Sequence, residues 1–251
     1  SVTIRATDNA DSSIFSDRTF TLKATPATLY PFSSHTFTTP LLGDQWYGST
    51  LTHVRAQYSS DAWAQVGAVG GPFLTMSHYT GVQDWTVPQT GTYTIKAGGA
   101  CGGNHFLNNP TNKGYGGHGR FSVGTFTLTK GEVLRILPGK NGQNNAGYNS
   151  ANGGSGGGGG SFVSRGNTLL VAGGGGGGAS LHNNPSPLPN GQTAVSSESG
   201  TSSRSGAGGG TRGGNGVGNL YGKGWNSIQA NPNGTSSAGG FGGGGTWTNH
   251  G

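Results

Sequence analysis

Asn167 to Gly178 reads NTLLVAGGGGGG, an apolar run that passes directly into six consecutive glycines. The apolar half lacks alternation, which suits a strand buried on both faces or a short interior element. The glycine half carries the largest backbone entropy penalty of any sequence, so a flexible linker is the default reading. Against that reading stand the absence of a Ser-Gly period and the strand-like segments that begin and end several glycine runs. Collagen requires glycine at every third position and abundant proline; six glycines in a row and only 11 prolines exclude it. A calcium-binding β-roll requires recurring Asp after the glycines, and no Asp follows Asp84. The remaining candidate is a polyglycine helix of the polyproline-II type, with three residues per turn and a rise of about 3.1 Å per residue. It has no internal hydrogen bonds, so every N–H and C=O needs a neighbour. Without Cβ atoms, several such helices approach closely enough to pair laterally, with Cα–H···O contacts as a second term.

The same punctuation recurs along the chain. The glycine-helix residues expected from it are Gly156, Gly157, Gly158, Gly159 and Gly160, then Gly173, Gly174, Gly175, Gly176, Gly177 and Gly178, and finally Gly242, Gly243, Gly244 and Gly245. Of 54 glycines only seven precede residue 98, so the architecture changes near Ala97. The 30% hydrophobic content is well below that of an ordinary globular chain. Disorder would couple low hydrophobicity to high charge and few aromatics; charged residues are only 9% here, and five Trp, eight Tyr and ten Phe are spread along the sequence.

Working outward, Val2, Ile4 and Ala6 share one face, and a second alternating run covers Thr19 to Lys23 after an Asp/Ser-rich loop at Asp8–Ser13. This predicts two antiparallel strands, read as the end of an immunoglobulin-like or cadherin-like domain over residues 1–27, with a linker at 28–34. The aromatic-rich segment from Phe32 to Ala97 predicts an antiparallel sheet with one solvated side, as in Tyr93, Ile95 and Ala97 opposite Thr92, Thr94 and Lys96. In RFSVGTFTLT the apolar parity moves from Phe121/Val123 to Phe126/Leu128, which predicts a bulge at Gly124. Long polar stretches (His105–Lys113, Asn141–Asn152, Ser180–Arg204 and Trp225–Ser237) read as loops.

Residues 35–251 resemble the extracellular glycine-rich region of anaplastic lymphoma kinase and leukocyte tyrosine kinase receptors, and of numerous phage and bacterial surface proteins. The carrying segments are VQDWTVPQTGTYTIKAGGACGG, GRFSVGTFTLTKGEVLRILPGKNG, GGSGGGGGSFV, NTLLVAGGGGGG and GGFGGGG. The resemblance implies an all-β fold: a tumour-necrosis-factor-like (jelly-roll) β-sandwich with an inserted bundle of polyglycine-II helices. Glycine-rich tips of phage tail fibres look similar, with loops between glycine helices that contact the host. The receptors have several cysteines in this region, whereas this chain has Cys101 alone, and we lean towards a phage or bacterial version. Ser1 and the glycine-rich stretch at Gly251 are read as the ends of a piece of something longer.

The charge is −2 through Asp84 and +8 beyond it, which favours an anionic surface or polymer as partner. A carboxylate pair for catalysis is not expected, since only Glu132 and Glu198 follow Asp84. The seven histidines show no zinc spacing and read as scattered loop or surface residues. Neither a phosphate-loop motif nor repeated Arg-Gly-Gly tracts occur, so no cofactor, metal or nucleic acid is expected. No 18-residue apolar run predicts membrane insertion. In the long loops, Phe106, Tyr148, Tyr221 and Trp225 would stack on sugars or fill protein pockets, or else cap the glycine bundle. Arg204 and Arg212 would add attraction for acidic groups. The expectation is a non-enzymatic virion structural protein: a phage tail-fibre or tail-tip adhesin, homotrimeric by family analogy, binding other tail proteins and a host surface protein or polysaccharide. A bacterial surface adhesin is the alternative, and a capsule-degrading tail enzyme is disfavoured.

Overall fold

The computed structural model describes residues 2–7, 15–20, 28–40, 47–106, 113–146 and 155–179. Within them the chain is all-β with little helix. β1 (Val2–Thr7) pairs antiparallel with β2 (Phe15–Phe20) in an unbroken register from Val2↔Phe20 to Thr7↔Phe15. The hairpin is therefore as expected, with its second strand starting earlier than the alternation implied.

The central sheet has five strands, all neighbours antiparallel, in the order β12-β11-β9-β4-β3. They are β3 (Leu74–Thr75), β4 (Gln83–Thr86), β9 (Val133–Leu137), β11 (Ser161–Arg165) and β12 (Thr168–Gly173). A second, two-stranded sheet pairs β5 (Gly91–Gly98) with β8 (Phe121–Leu128). Alternation places Tyr93, Ile95, Phe126 and Leu128 on the inner side of that pair, against Trp85, Leu134, Ile136 and Val163 of the central sheet. A smaller cluster of Val82, Leu137, Phe162 and Ala172 forms a second core.

Three expectations are corrected. The β5–β8 register is continuous from Gly91↔Leu128 to Gly98↔Phe121, so Gly124 marks no bulge. Its lost side chain serves Phe126 instead: a Cβ at Gly124 would collide with the Phe126 ring, which folds back over it on the same face. The parity change is real because Phe121 and Val123 face outward, with Lys96 Nζ 4.1 Å from the Phe121 ring centroid. A register shift does occur, but in β11–β12 between Val163 and Ser164.

The segment from Phe32 to Ala97 is not sheet throughout. It contains α1 (Leu51–Gln57), capped where Thr50 Oγ1 accepts from the His53 N–H, followed by a 3-10 turn at Ala62–Ala64. Val54, Tyr58 and Trp63 join the main core. The stretch 28–34, expected as a linker, contributes to the same core: Tyr30 is buried, stacks on Trp63 at 5.5 Å, meets Phe73 at 4.5 Å, and donates its hydroxyl to Thr86 O. Arg55 ties α1 down by donating to Ala64 O and Leu74 O.

Leu134 is fully buried in β9 and Val123 is 56% exposed on β8. Leu134→Ala is expected to cost roughly 2–5 kcal/mol, whereas Val123→Thr stays within about 0.5 kcal/mol. Urea midpoints at unchanged slope check both.

Candidate functional site

Five non-strand segments extend from the ends of these strands. Segment I (99–104) follows β5, segment II (115–120) leads into β8, segment III (139–144) follows β9, segment IV (155–160) leads into β11, and segment V (174–179) follows β12. Their backbones pair with one another at N···O distances of 2.8–3.1 Å.

Every repeated pair advances by three residues. Gly99 and Gly102 donate to Arg120 O and Gly117 O; Ala100 and Gly103 donate to Gly159 O and Gly156 O. Gly117 and Arg120 donate to Gly177 O and Gly174 O, and Gly156 and Gly159 to Gln143 O and Lys140 O. Ser155 and Gly158 donate to Ala179 O and Gly176 O, while Gly176 and Ala179 donate back to Ala100 O and Gly103 O. Gly142 of segment III also donates to Cys101 O, so segment I touches all four others. The falling residue numbers in most pairs make those neighbours antiparallel, and the rising ones make I–V parallel.

The glycines of this array are there for close approach. Those with left-handed φ, namely Gly70, Gly81, Gly131 and Gly166, lie outside it. A Cβ on Gly102 would fall far inside van der Waals contact with Gly177 O, one on Gly119 with Gly99 O, and one on Gly142 with Gly156 O. These Cα positions therefore point at carbonyls, as Cα–H···O pairing requires. Hydroxyls close both ends of segment IV. Ser155 Oγ lies within hydrogen-bond reach of both Gly103 O (2.5 Å) and Ala179 O (2.8 Å), to which its single O–H can donate; Ser161 Oγ donates to Gly98 O and accepts from the Gly139 N–H.

The directions of the segments have a topological result. I, III and V run away from the sheets while II and IV return, so residues 104, 115, 144, 155 and 179 lie at one end. At that end, β10 (Asn145–Ala146), β6 (His105–Phe106) and β7 (Lys113–Gly114) form a small sheet in that order. Residues 106, 113 and 146 of this small sheet thus stand at the same end as residues 155 and 179.

Of the glycines singled out from the sequence, Gly156–Gly160 and Gly174–Gly178 lie in the array and Gly173 ends β12; Gly173–Gly178 are all buried. Two loop assignments are corrected: His105–Phe106 and Lys113–Gly114 are strands, and residues 141–144 belong to segment III. Phe106 sits in β6, paired with Lys113 and Ala146. Tyr148, Arg204, Arg212, Tyr221, Trp225 and Gly242–Gly245 lie outside the described residues. Asn104, Asn141 and Asn144 were missed as site residues: Asn141 Oδ1 accepts from Cys101 N–H (3.0 Å), Asn144 Oδ1 from Asn104 N–H (2.8 Å), and Asn104 Oδ1 from Gly116 N–H (2.9 Å). Their signal was the three-residue step from Asn141 to Asn144 and from Cys101 to Asn104.

Two histidines are not surface residues. His35 packs edge-on to Phe37, Tyr58 and Trp63, with Nδ1 3.4 Å from Asp61. Desolvation holds its pKa below the usual value despite Asp61. His105 is fully buried with neither ring nitrogen hydrogen-bonded, and burial likewise pushes its pKa down. Among the described residues, no three His, Cys, Asp or Glu side chains converge as a metal set, and no helix is long and apolar enough to cross a membrane. Glu132 accepts from Thr129 N–H and pairs with Arg165 at the β8–β9 turn. A cavity of about 840 Å³ beside Tyr30, Phe32, Trp63 and Phe73 is the rim of the aromatic core, whose rings pack against each other.

No family model matches the chain. It is similar to the leukocyte tyrosine kinase receptor of Mus musculus, 38% identical over 97 residues, which is 38% of this chain and 10% of the receptor. The chain thus spans about a tenth of that relative's length. The likeness supports a glycine-rich domain family.

Gly102→Ala should lower stability by about 3 kcal/mol, the upper end for an overpacked site. Gly67→Ala, with open space at its Cβ and no left-handed φ, should be neutral or stabilising by roughly 0.4–1 kcal/mol. Thermal melts of the two variants decide the comparison. The depressed histidine pKa values have a definite sign. The folded chain resists protons that the unfolded chain binds below about pH 6.5, so stability is complete above that pH and declines as pH falls towards the folded values. Urea midpoints between pH 8 and 5 should show the decline, and His105→Leu should reduce its slope.

Proposed function

We propose that segments I–V are polyglycine-II helices and that the chain is a non-enzymatic adhesion module, carried on the tail fibre or tail tip of a phage, whose array presents polar loops to a host surface. The observation that carries this reading is that residues 106, 113, 146, 155 and 179 gather at one end of a laterally bonded scaffold whose other end is anchored in two sheets. In sequence these residues flank the polar stretches 107–112 and 147–154 and the chain after 179. Binding residues gather on loops set by a rigid frame. Such a frame restricts loop ends without consuming loop sequence, which suits recognition of varied surfaces.

The similarity to a receptor supports an extracellular setting for the module. The three-residue repeat supports the polyglycine-II reading, because a helix with three residues per turn returns every third amide to the same neighbour. A homotrimer, with the loops of three copies facing the same way, is the assembly we propose, and a host protein or polysaccharide is the target.

Replacing 107–112 and 147–154 by Gly-Ser stretches of equal length should abolish fluorescent labelling of susceptible host cells while leaving the melting temperature within a few degrees. Labelling that persists at the original level would remove the loops from the contact. Release of reducing sugars from capsule by the unaltered protein would overturn the non-enzymatic reading.

A further inference from the structure

We propose that the flank of the array where segment I lies open between segments II and III is a binding trough for an acidic polysaccharide. Cys101 and Asn104 form its floor. Asn141 and Asn144 stand on the segment III side, and His118, whose Nδ1 is 3.6 Å from Cys101 Sγ, on the segment II side. His118, Asn141 and Asn144 are exposed, and Cys101 and Asn104 are half-buried.

The chemistry follows from how the three carboxamides are held. Each Oδ1 is taken by a backbone N–H of a neighbouring segment: Asn141 by Cys101, Asn144 by Asn104, and Asn104 by Gly116. This fixes the amide orientation, because a flipped amide would set NH₂ against N–H. None of the three NH₂ groups is hydrogen-bonded to any described residue. The trough therefore offers pre-oriented donors whose own acceptors are already occupied.

Charge points the same way. Between Asp84 and Glu132 the chain has no acidic residue, and Glu132 is held by Arg165 and the Thr129 N–H. Arg120 ends segment II, exposed. Amide donors together with the Arg120 guanidinium, with no carboxylate between Asp84 and Glu132 in the chain, are complementary to carboxylates and hydroxyls. The step from Asn141 to Asn144, like that from Cys101 to Asn104, is three residues, or about 9 Å at the rise of a three-per-turn helix. Donors repeated at that spacing suit a polymer better than a single small anion. Single-strand nucleic acid binders stack successive bases on successive aromatics, and among the described residues of segments I to III Tyr115 is the one exposed Phe, Tyr or Trp ring. The trough runs along the side of the array and ends at Asn104 and Asn144; it deepens the adhesion reading and is tested apart from it by the loop-replaced protein.

The test uses immobilised alginate, with dextran as neutral polysaccharide and poly(dT) as non-saccharide polyanion. The double variant Asn141→Asp, Asn144→Asp keeps an oxygen for Cys101 and Asn104 N–H but replaces each NH₂ by carboxylate. It should bind alginate at least tenfold more weakly than the unaltered chain, with an unchanged melting temperature. His118→Gln, which leaves every asparagine contact in place, should weaken binding several-fold and serves if the double variant does not fold. Unchanged alginate affinity in these variants, absence of alginate binding by the unaltered chain, or equal binding of dextran or poly(dT) would overturn the proposal. Alginate binding by the loop-replaced protein separates the two readings: it should persist even where cell labelling is lost.

Discussion

The structure depends on backbone amides satisfying one another sideways. In segments I–V the N–H and C=O groups have no partner within their own segment, yet segments IV and V are almost wholly buried, and an unpaired buried amide costs about 1–3 kcal/mol. Lateral pairing removes that cost only if the backbones approach to hydrogen-bond distance. At the points of closest approach, such as Gly102 against Gly177 and Gly119 against Gly99, a single methyl group would prevent it. Glycine is thus selected by distance in this array, whereas at Gly131 and Gly166 it is selected by left-handed φ.

Magnitudes show why the array is built on the sheets. Fixing one residue's backbone costs roughly 1–2 kcal/mol, and a typical intramolecular hydrogen bond returns only about 0.5–1.5 kcal/mol net. Lateral bonds alone therefore do not order an isolated glycine run. Here each segment continues directly from or into a strand whose register is already set: β5, β8, β9, β11 or β12. The buried Leu128, Leu134 and Val163 supply the apolar stabilisation that glycine lacks, and the strands deliver the segments at matched heights. Ser161, bonded to both Gly98 O and Gly139 N–H, stands at the junction.

How much of this was legible in the sequence differed by element. The uninterrupted runs at Gly156–Gly160 and Gly173–Gly178 announced themselves, as did the alternation of Tyr93, Ile95 and Ala97 in β5. Segments I to III were hidden because side chains interrupt them. Their mark is glycine three residues apart, in Gly99/Gly102, Gly116/Gly119 and Gly139/Gly142, a pattern easily lost among so many glycines. The bulge expected at Gly124 rested on the rule that large apolar residues face inward, and Phe121 broke that rule by pairing outward with Lys96. Helix α1 was overlooked because its signal is brief: a Thr50 cap followed by Leu51 and Val54 three apart. The asparagines of the trough looked like loop residues because a side-chain amide standing in for a backbone neighbour has no composition signature.

That substitution links the number of side chains in a segment to its place in the array. With hydrogen-bond partners recurring every third residue, each position in a segment faces either a neighbouring backbone or away from the array. Where every direction meets a backbone, as along buried Gly173–Gly178, no side chain fits and the sequence becomes pure glycine. Where one direction opens to solvent, every third position is released, and Cys101/Asn104, Tyr115/His118 and Asn141/Asn144 occupy those positions. The open side would otherwise leave bare amides, the same liability that an unprotected sheet edge presents. Asn104, Asn141 and Asn144 terminate it by accepting the N–H groups of Gly116, Cys101 and Asn104. The chemistry the array shows to its surroundings is thus fixed by the residues at which it stops.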